Sequence, residues 1–259
     1  MSNGFEQHNI DHLSASSINM AMGSLSAWCV RYLMAQRFPS SSAAERGKAV
    51  EVGVAHGLFN PDVSENECVE LGIDAFRGMM DIGNFVDSDE REATESDVSA
   101  MIPLALAELR PLGVPTPSGG TNQHEIGIAC RFAEGDNGTV HIKGYLDFYY
   151  ADQELIVDLK TTKRSPSSWS QSHAIQAAIY GKATGAKVKF LYVTPKKTVW
   201  LELDDITAEL SINAVKASVK RLERFLSLSK DAELLTKSAP HDPSSFYWKG
   251  AESLESFIS

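Results

Sequence analysis

Apolar residues recur at helical spacing through the first part of the chain, which predicts a series of amphipathic helices. The pattern marks four segments, 14–38, 43–59, 64–82 and 90–110. Ser14 stands directly before the first apolar repeat and is a residue type that caps helix N-termini, so we expect the first helix to begin there. Short clusters of proline and small polar residues separate the first three segments, as breaks between helices require.

The second part of the chain changes from helical spacing to strand-like runs. A connector rich in proline and glycine, 111–120, leads into runs at 122–132, 139–150 and 154–163, whose composition predicts β-strands. The Gly-Asp-Asn-Gly sequence at 135–138 predicts the first hairpin turn.

Helical and strand-like patterns alternate after the third strand. Helices are predicted over 168–184 and 206–228, and strand-like runs at 187–194 and 198–203 lie between them. The final segment, 229–259, has neither period, so we expect an irregular tail that docks through its aromatic residues. We therefore predict a mixed α/β fold in which helices flank a central mixed β-sheet.

The length and composition of the chain fit one domain, residues 1–259, with a helical N-terminal part at 13–113 and the sheet with its helices at 121–228. No apolar run approaches the roughly 18 residues that a membrane span needs, and the polar N-terminus lacks the apolar stretch of a signal peptide. The three cysteines are scattered and odd in number, which fits a reducing compartment. We expect a cytoplasmic protein without a membrane partner.

Charge is distributed unevenly along the chain, although the net charge is −10. Residues 61–100 contain twelve acidic side chains, whereas residues 155–225 contain twelve basic side chains against six acidic ones. Contact with phosphate depends on the local patch rather than on the sum, so the net charge does not exclude nucleic acid as a partner. The alternative is that both tracts are only solvated helix faces.

Two adjacent strand runs carry the residues with the clearest chemistry. A symmetric hairpin around the link 151–154 places Asp147 directly across from Asp158. Lys160 points to the same face as Asp158, because successive side chains of a strand alternate. Cross-strand carboxylates about 4.5–5.5 Å apart at Cβ repel each other unless a positive charge lies between them. A divalent cation beside Lys160 would form a site for attack on phosphodiesters; the alternative, a surface ion pair, is disfavoured by the apolar neighbours.

These motifs resemble those of the PD-(D/E)xK nuclease superfamily. Gly-x-x-Asp ending at Asp147, followed by Asp-x-Lys ending at Lys160, is similar to the superfamily signature. The run Gln-Ala-Ala-Ile-Tyr at 176–180 is similar to the Gln-x-x-x-Tyr motif of the RecB-like exonuclease branch. Residues 13–19 are similar to the opening helix of that branch, and residues 46–51 are similar to its segment that supplies a further metal ligand.

Two positions depart from the commonest form of these motifs. Leu146 occupies the position of the superfamily proline, as is common in the RecB-like branch. Glu51 stands where many relatives carry histidine, as in the lambda-exonuclease-like group, and hard cations such as Mg²⁺ and Mn²⁺ prefer oxygen ligands. The alternative for Glu51 is an ordinary surface glutamate. Its rival His56 lies five residues later and therefore about 140° away around the helix.

The resemblance implies a restriction-endonuclease-like core and a set of catalytic residues. Asp147, Asp158 and Glu51, with the carbonyl of Leu159, would hold one or two Mg²⁺ or Mn²⁺ ions. Lys160 would position the attacking water and offset the charge of the transition state.

A helix-borne pair completes the implied site. Gln176 and Tyr180 are four residues apart and share a helix face. The resemblance implies that Gln176 orients a ligand, a water or a phosphate while Tyr180 braces it. The alternative is a pair at the edge of the core that bonds only to itself or to the backbone.

Further residues are candidates for contact with DNA or for an outer metal shell. Arg46, Lys163, Arg164 and Trp169 are the DNA-binding candidates, through phosphate contacts and base stacking. Exposed basic residues are usually only solubilising, which is the alternative here. Glu125 could be an outer ligand, although pairing with a surface lysine is favoured.

The resemblance implies a DNA exonuclease that serves recombination or repair, in a compact form typical of phage proteins. DNA and a separate single-strand annealing or binding protein are the implied partners; a structure-specific endonuclease, an RNA-directed nuclease and a non-catalytic DNA-binding module are the alternatives. The chain has no phosphate-binding Gly-x-x-x-x-Gly-Lys loop, so a helicase motor would be a separate chain. No cysteine follows Cys130 and no Cys/His pair has zinc-ligand spacing, so neither an iron–sulfur cluster nor a zinc site is expected.

Overall fold

The computed structural model describes residues 3–82, 90–117, 126–131 and 140–259, with the backbone alone described for 126–131. The helices are α1 (Gly4–Gln7), α2 (Ala15–Gly23), α3 (Leu25–Tyr32), α4 (Ser42–Phe59), α5 (Glu65–Ile82), α6 (Arg91–Leu109), α7 (Gln171–Thr184), α8 (Asp205–Leu226) and α9 (Ala232–Ser238). The strands are β1 (His12–Leu13), β2 (Ile126–Arg131), β3 (His141–Leu146), β4 (Phe148–Tyr150), β5 (Leu155–Thr161), β6 (Lys187–Val193) and β7 (Thr198–Glu202). The predicted mixed α/β fold is confirmed.

The strands form two sheets rather than the single central sheet that the sequence predicted. One sheet has the order β1-β3-β2, and the other has the order β4-β5-β6-β7 with β5 and β6 parallel. The predicted strand 139–150 is interrupted at Asp147, where the chain bends and passes from one sheet to the other. The predicted turn 135–138 lies outside the described residues.

The register of the central hairpin agrees with the sequence prediction. Phe148 pairs with Val157 and Tyr150 pairs with Leu155 in antiparallel orientation. Continuing this register by one residue places Asp147 opposite Asp158, on the same side of the sheet.

The four-stranded sheet separates two hydrophobic clusters, because alternate side chains of β5 and β6 point to opposite faces. On one face, residues such as Ile156 and Phe190 pack with α2, α7 and α8. On the other face, residues such as Val157 and Leu191 pack with α4, α5 and α6. The face with Ile156 also carries Asp158, so the site lies between the sheet and α7.

The predicted first helix, 14–38, is two helices. Ser24 has extended backbone angles, φ −162° and ψ 99°, which end α2 after Gly23. The Ser24 side chain then accepts a hydrogen bond from the Ala27 amide and caps α3. Ser14 caps α2 as predicted, accepting a hydrogen bond from the Ser17 amide.

The predicted irregular tail is also more ordered than its pattern indicated. It contains α9 and two short 3₁₀ helices, at Phe246–Trp248 and Glu252–Phe257. Trp248 is buried with Ala27 and Val30 of α3, and its indole nitrogen donates a hydrogen bond to Ser24 Oγ at 3.1 Å. Burial of an aromatic ring thus holds the tail against α3.

No helix in the described ranges is both long enough and apolar enough to cross a membrane.

Close contact between α4 and its neighbours fixes the helix that carries Glu51. A Cβ atom added at Gly53 would lie 2.5 Å from the Cys68 carbonyl oxygen and 2.6 Å from Ile102 Cδ1. Such a contact requires a backbone shift, since the carbonyl belongs to α5. At Gly78, by contrast, no described atom beyond its chain neighbours and the backbone of its own helix lies within 4 Å of the equivalent position.

We predict that Gly53→Ala destabilises the protein, because overpacking a helix contact costs about 1–3 kcal/mol. The matched change Gly78→Ala should instead stabilise it, because alanine is about 0.8–1 kcal/mol better than glycine inside a helix. Thermal unfolding of the two variants measures the difference. Equal melting temperatures would contradict the close packing of α4 on α5.

Candidate active site

Asp147 occupies the bend between β3 and β4, where one strand leaves the first sheet and enters the second. Its Oδ2 atom accepts a hydrogen bond from the Leu159 amide at 2.8 Å. This bond joins the bend to β5 and holds the carboxylate beside Asp158. The residue as a whole is partly exposed, but its carboxylate is removed from water.

Asp158 and Lys160 lie two residues apart on β5 and share one face. Asp158 is fully buried, and the Lys160 ammonium contacts its Oδ1 atom. The ammonium therefore pairs with Oδ1 and offsets part of the buried charge of Asp158. Lys160 Nζ also lies 5.1 Å from the centre of the Phe190 ring, which favours the ammonium form.

Helix α7 supplies the pair that holds the other oxygen of Asp158. Gln176 Nε2 donates hydrogen bonds to Asp158 Oδ2 and to the Tyr180 hydroxyl, each at 2.9 Å. The Tyr180 ring packs against Gly144 of β3, where an added Cβ would lie 2.7 Å from the ring. The glycine of the Gly-x-x-Asp motif therefore makes room for the tyrosine that braces Gln176.

Glu51 lies on α4, on the side that approaches the two aspartates. It is partly buried, and its charge acts on Asp147, Asp158 and Lys160. The rival residue, His56, turns away from this group: its Nε2 atom lies 3.5 Å from Glu67 Oε1 of α5.

Burial and like charge raise the pKa of both aspartates above the ordinary carboxyl value. For Asp147 the largest cause is burial, followed by the negative charges of Asp158 and Glu51. Burial is also the largest cause for Asp158, and Lys160 partly opposes it. Burial lowers the pKa of Lys160, but attraction to Asp158 and Asp147 outweighs this and leaves that pKa raised.

The chemistry of these residues fits a hard divalent cation. The charge of Glu51 acts on both Asp147 and Asp158, so three carboxylates offer the oxygen ligands that such a cation prefers. Their present positions do not form a closed ligand set, since no three His, Cys, Asp or Glu side chains in the described part of the chain are placed to hold a metal ion. Glu125, a predicted outer ligand, lies outside the described residues.

A histidine that the sequence analysis did not single out lies beside this group. His173 precedes Gln176 by three residues on α7, and its Nδ1 atom lies 2.6 Å from the Tyr192 hydroxyl. Burial, with a contribution from the nearby Lys160 charge, lowers the pKa of His173 to about 4. His173 is therefore neutral at physiological pH. Its helical spacing from Gln176 was the available signal.

Two of the four predicted DNA-binding residues have exposed side chains. Lys163 follows β5 and donates a hydrogen bond to Glu90 Oε2 at 2.8 Å. Arg164 is its exposed neighbour.

The other two predicted DNA-binding residues, Arg46 and Trp169, make contacts inside the protein. Arg46 is buried, and its guanidinium lies 3.2 Å from Asp97 Oδ2, so it joins α4 to α6. Trp169 packs edge-on against Phe190 with ring centres 4.9 Å apart, and its indole nitrogen donates to the Glu202 carbonyl. Both side chains make internal contacts, and their contact with DNA stays a prediction.

The fold resembles that of a solved structure. It matches a protein from Eubacterium rectale named "Putative exonuclease" with a TM-score of 0.57 and 14% identity, over 96% of this chain and 91% of that one. The structure of SSO0001 has a TM-score of 0.38 at 12% identity, over 91% and 94% of the two chains. No family model and no curated protein matches the sequence. The comparison with the E. rectale protein establishes a shared fold.

We predict that Asp147→Asn raises the melting temperature in EDTA. Asparagine can still accept the Leu159 hydrogen bond, but it removes a buried negative charge next to Asp158. A gain of about 1 kcal/mol corresponds to roughly 2–4 °C in a domain of this size. The exposed change Asp152→Asn is the control and should leave the melting temperature unaltered.

The same pair of proteins should show a defined pH dependence. Because the folded-state pKa of Asp147 is raised, its protonated form stabilises the native state at low pH, and this contribution is lost as pH rises through the raised pKa. The advantage of Asp147→Asn should therefore be largest at neutral pH and vanish near pH 4, the ordinary carboxyl value. A constant advantage across pH would contradict the raised pKa.

Proposed function

We propose that this protein is a Mg²⁺- or Mn²⁺-dependent deoxyribonuclease of the RecB-like, lambda-exonuclease-like branch of the PD-(D/E)xK superfamily. Its reaction would be exonucleolytic hydrolysis of phosphodiesters in recombination or repair. The observation that carries the proposal is the convergence of Asp147, Asp158, Lys160 and Gln176 from two neighbouring strands and one helix. Glu51 adds a third carboxylate from α4.

The carboxylates have a physical reason to take up a cation. Burial raises the pKa of Asp147 and Asp158, and the negative charge of Glu51 raises both further, whereas Lys160 supplies the opposing positive charge. Asp147, Asp158 and Glu51, with the Leu159 carbonyl, would hold the ion. A bound Mg²⁺ or Mn²⁺ supplies a water of lowered pKa and polarises the scissile phosphate.

Lys160 acts directly in the proposed reaction, and Gln176 positions Asp158. The raised pKa of Lys160 keeps it an ammonium at neutral pH, where it positions the attacking water and offsets charge that develops on the phosphate. Gln176 donates a hydrogen bond to Asp158 Oδ2 and would leave Oδ1 to hold the ion. Tyr180, seated on Gly144, holds the Gln176 amide in that orientation.

The fold comparison supports this proposal without extending to activity. The E. rectale protein is named as an exonuclease, and its likeness covers most of both chains. Applied to this chain, exonuclease activity is our proposal, and it rests on the geometry of the site.

We predict that Mn²⁺ raises the melting temperature of the wild-type protein and does so less, or not at all, in Asp158→Asn. A ligand at one hundred times its dissociation constant stabilises the native state by about 2.7 kcal/mol, which is readily measured by thermal shift. Asp152→Asn should respond as the wild type does, since its side chain is exposed and outside the site. An identical response of Asp158→Asn would contradict its role as a ligand.

We predict that Lys160→Ala lowers DNA cleavage by at least about 10²–10³-fold, the usual effect of removing one electrostatic group from a catalytic site. Lys189→Ala is the matched control, because Lys189 lies on the adjacent strand and pairs with Glu202 at 3.0 Å. Circular dichroism should verify that both variants fold. Full activity of Lys160→Ala would rule out the assignment.

Substrate choice separates the proposed exonuclease from its alternatives. With Mg²⁺ or Mn²⁺, linear DNA should be degraded while a covalently closed circle stays intact, and EDTA should stop the reaction. Cleavage of the closed circle would favour a structure-specific endonuclease. Binding without metal-dependent degradation would favour a non-catalytic DNA-binding module.

A further inference from the structure

The proposed site opens on a long cleft composed of two adjoining cavities. Gln176 and Tyr180 line the first cavity, of about 600 Å³. A second cavity of about 520 Å³ continues from it between the end of α3, the start of α4 and the tail. Met20, Arg31 and Tyr247 line both cavities, so the two adjoin and together are called the cleft.

Exposed aromatic rings are concentrated along this cleft. Among the large exposed hydrophobic side chains in the described part of the protein, three are aromatic: Tyr32 at 37% exposure, Tyr145 at 61% and Phe246 at 81%. Tyr32 and Tyr145 line the first cavity, and Phe246 lines the second. Exposed rings that line adjoining cavities are typical of platforms on which bases stack.

The charge of the cleft is opposite to that of the whole chain. Basic side chains line it from one end to the other, including Arg31, Lys143 and Lys249. Within the described ranges, the acidic residue on its walls is Glu90, which is paired with Lys163. A positive local surface on a chain of net charge −10 favours the binding of a polyanion in this cleft.

The rings are held in position by the packing of the tail on the N-terminal helices. Tyr247 lies against Gly23, where an added Cβ would be 2.7 Å from its ring. Trp248, the next residue, is buried, and Arg31 lies 5.7 Å from the centre of the Tyr32 ring. The cleft therefore exists before a ligand binds, which lowers the entropic cost of ordering its side chains on binding.

We propose that this cleft binds a single-stranded segment of the nucleic acid that enters the catalytic site. Tyr145, Tyr32 and Phe246 stack on its bases, and Arg31, Lys143 and Lys249 contact its phosphates. A single strand is specified because stacking on protein rings requires unpaired bases, whose faces a duplex covers. The inference rests on the proposed nuclease function and adds to it the form of the substrate.

Fluorescence anisotropy with a labelled oligothymidine and a blunt duplex of the same length tests the inference in EDTA, where hydrolysis is excluded. The full-length protein should bind the single strand more tightly than the duplex. Tyr145→Ala and Phe246→Ala should each weaken single-strand binding by roughly 5- to 150-fold, the effect of losing one stacked base. Arg31→Ala should reduce the salt dependence of binding.

Two controls separate stacking from a general loss of structure. Tyr145→Phe keeps the ring and should retain wild-type affinity. Leu210→Ala removes an exposed hydrophobic side chain, 66% exposed on α8 and outside the cleft, and should change nothing. Equal affinity for the two DNAs, or unaltered binding by Tyr145→Ala and Phe246→Ala together, would overturn the inference.

The two proposals fail in different ways. If the wild type degrades DNA with Mn²⁺ but the aromatic variants bind single strands normally, only the inference about the cleft is wrong. If the wild type binds single strands through these rings but hydrolyses no DNA with any divalent cation, the nuclease assignment is wrong and the cleft assignment stands.

Discussion

The repulsion between two buried carboxylates is the constraint to which the rest of the site responds. Asp147 and Asp158 are brought together by strand register, and burial makes each of them costly to ionise. Lys160 offsets part of this charge. The Leu159 amide donates a hydrogen bond to Asp147, and Gln176 donates one to Asp158. Gly144 leaves room for the tyrosine that holds Gln176. Under the proposed function, a bound divalent cation would remove this repulsion.

The two hydrophobic clusters give this group its rigidity. The sheet separates them, and the site lies where β5 faces α7 on one side while α4 brings Glu51 from the other. Tight contact at Gly53 limits movement of α4, and the bend at Asp147 fixes where the two sheets meet. The tail extends this framework, because Trp248 anchors the segment that carries Phe246 on the wall of the proposed cleft.

Local patterns predicted most elements and the core of the site, because both depend on short-range regularities. The apolar strand pattern predicted the hairpin register, and the i,i+4 spacing predicted that Gln176 and Tyr180 share one face of a helix. Long-range packing determines the rest. Ser24 ends α2 where Gly23 contacts the tail, and burial of Trp248 orders a segment without periodicity. Contacts with Asp97 and Phe190 hold the side chains of Arg46 and Trp169 inside the protein. None of these partners is near in sequence, so no local pattern could reveal them.

A crystal structure of the protein with Mn²⁺ tests the central claim most directly. Anomalous density should appear between Asp147, Asp158 and Glu51, within about 2.0–2.6 Å of their oxygens, the range for hard divalent cations. Lys160 should then have moved away from Asp158 Oδ1. Manganese bound elsewhere, or Asp158 still paired with Lys160 at saturating Mn²⁺, would contradict the account.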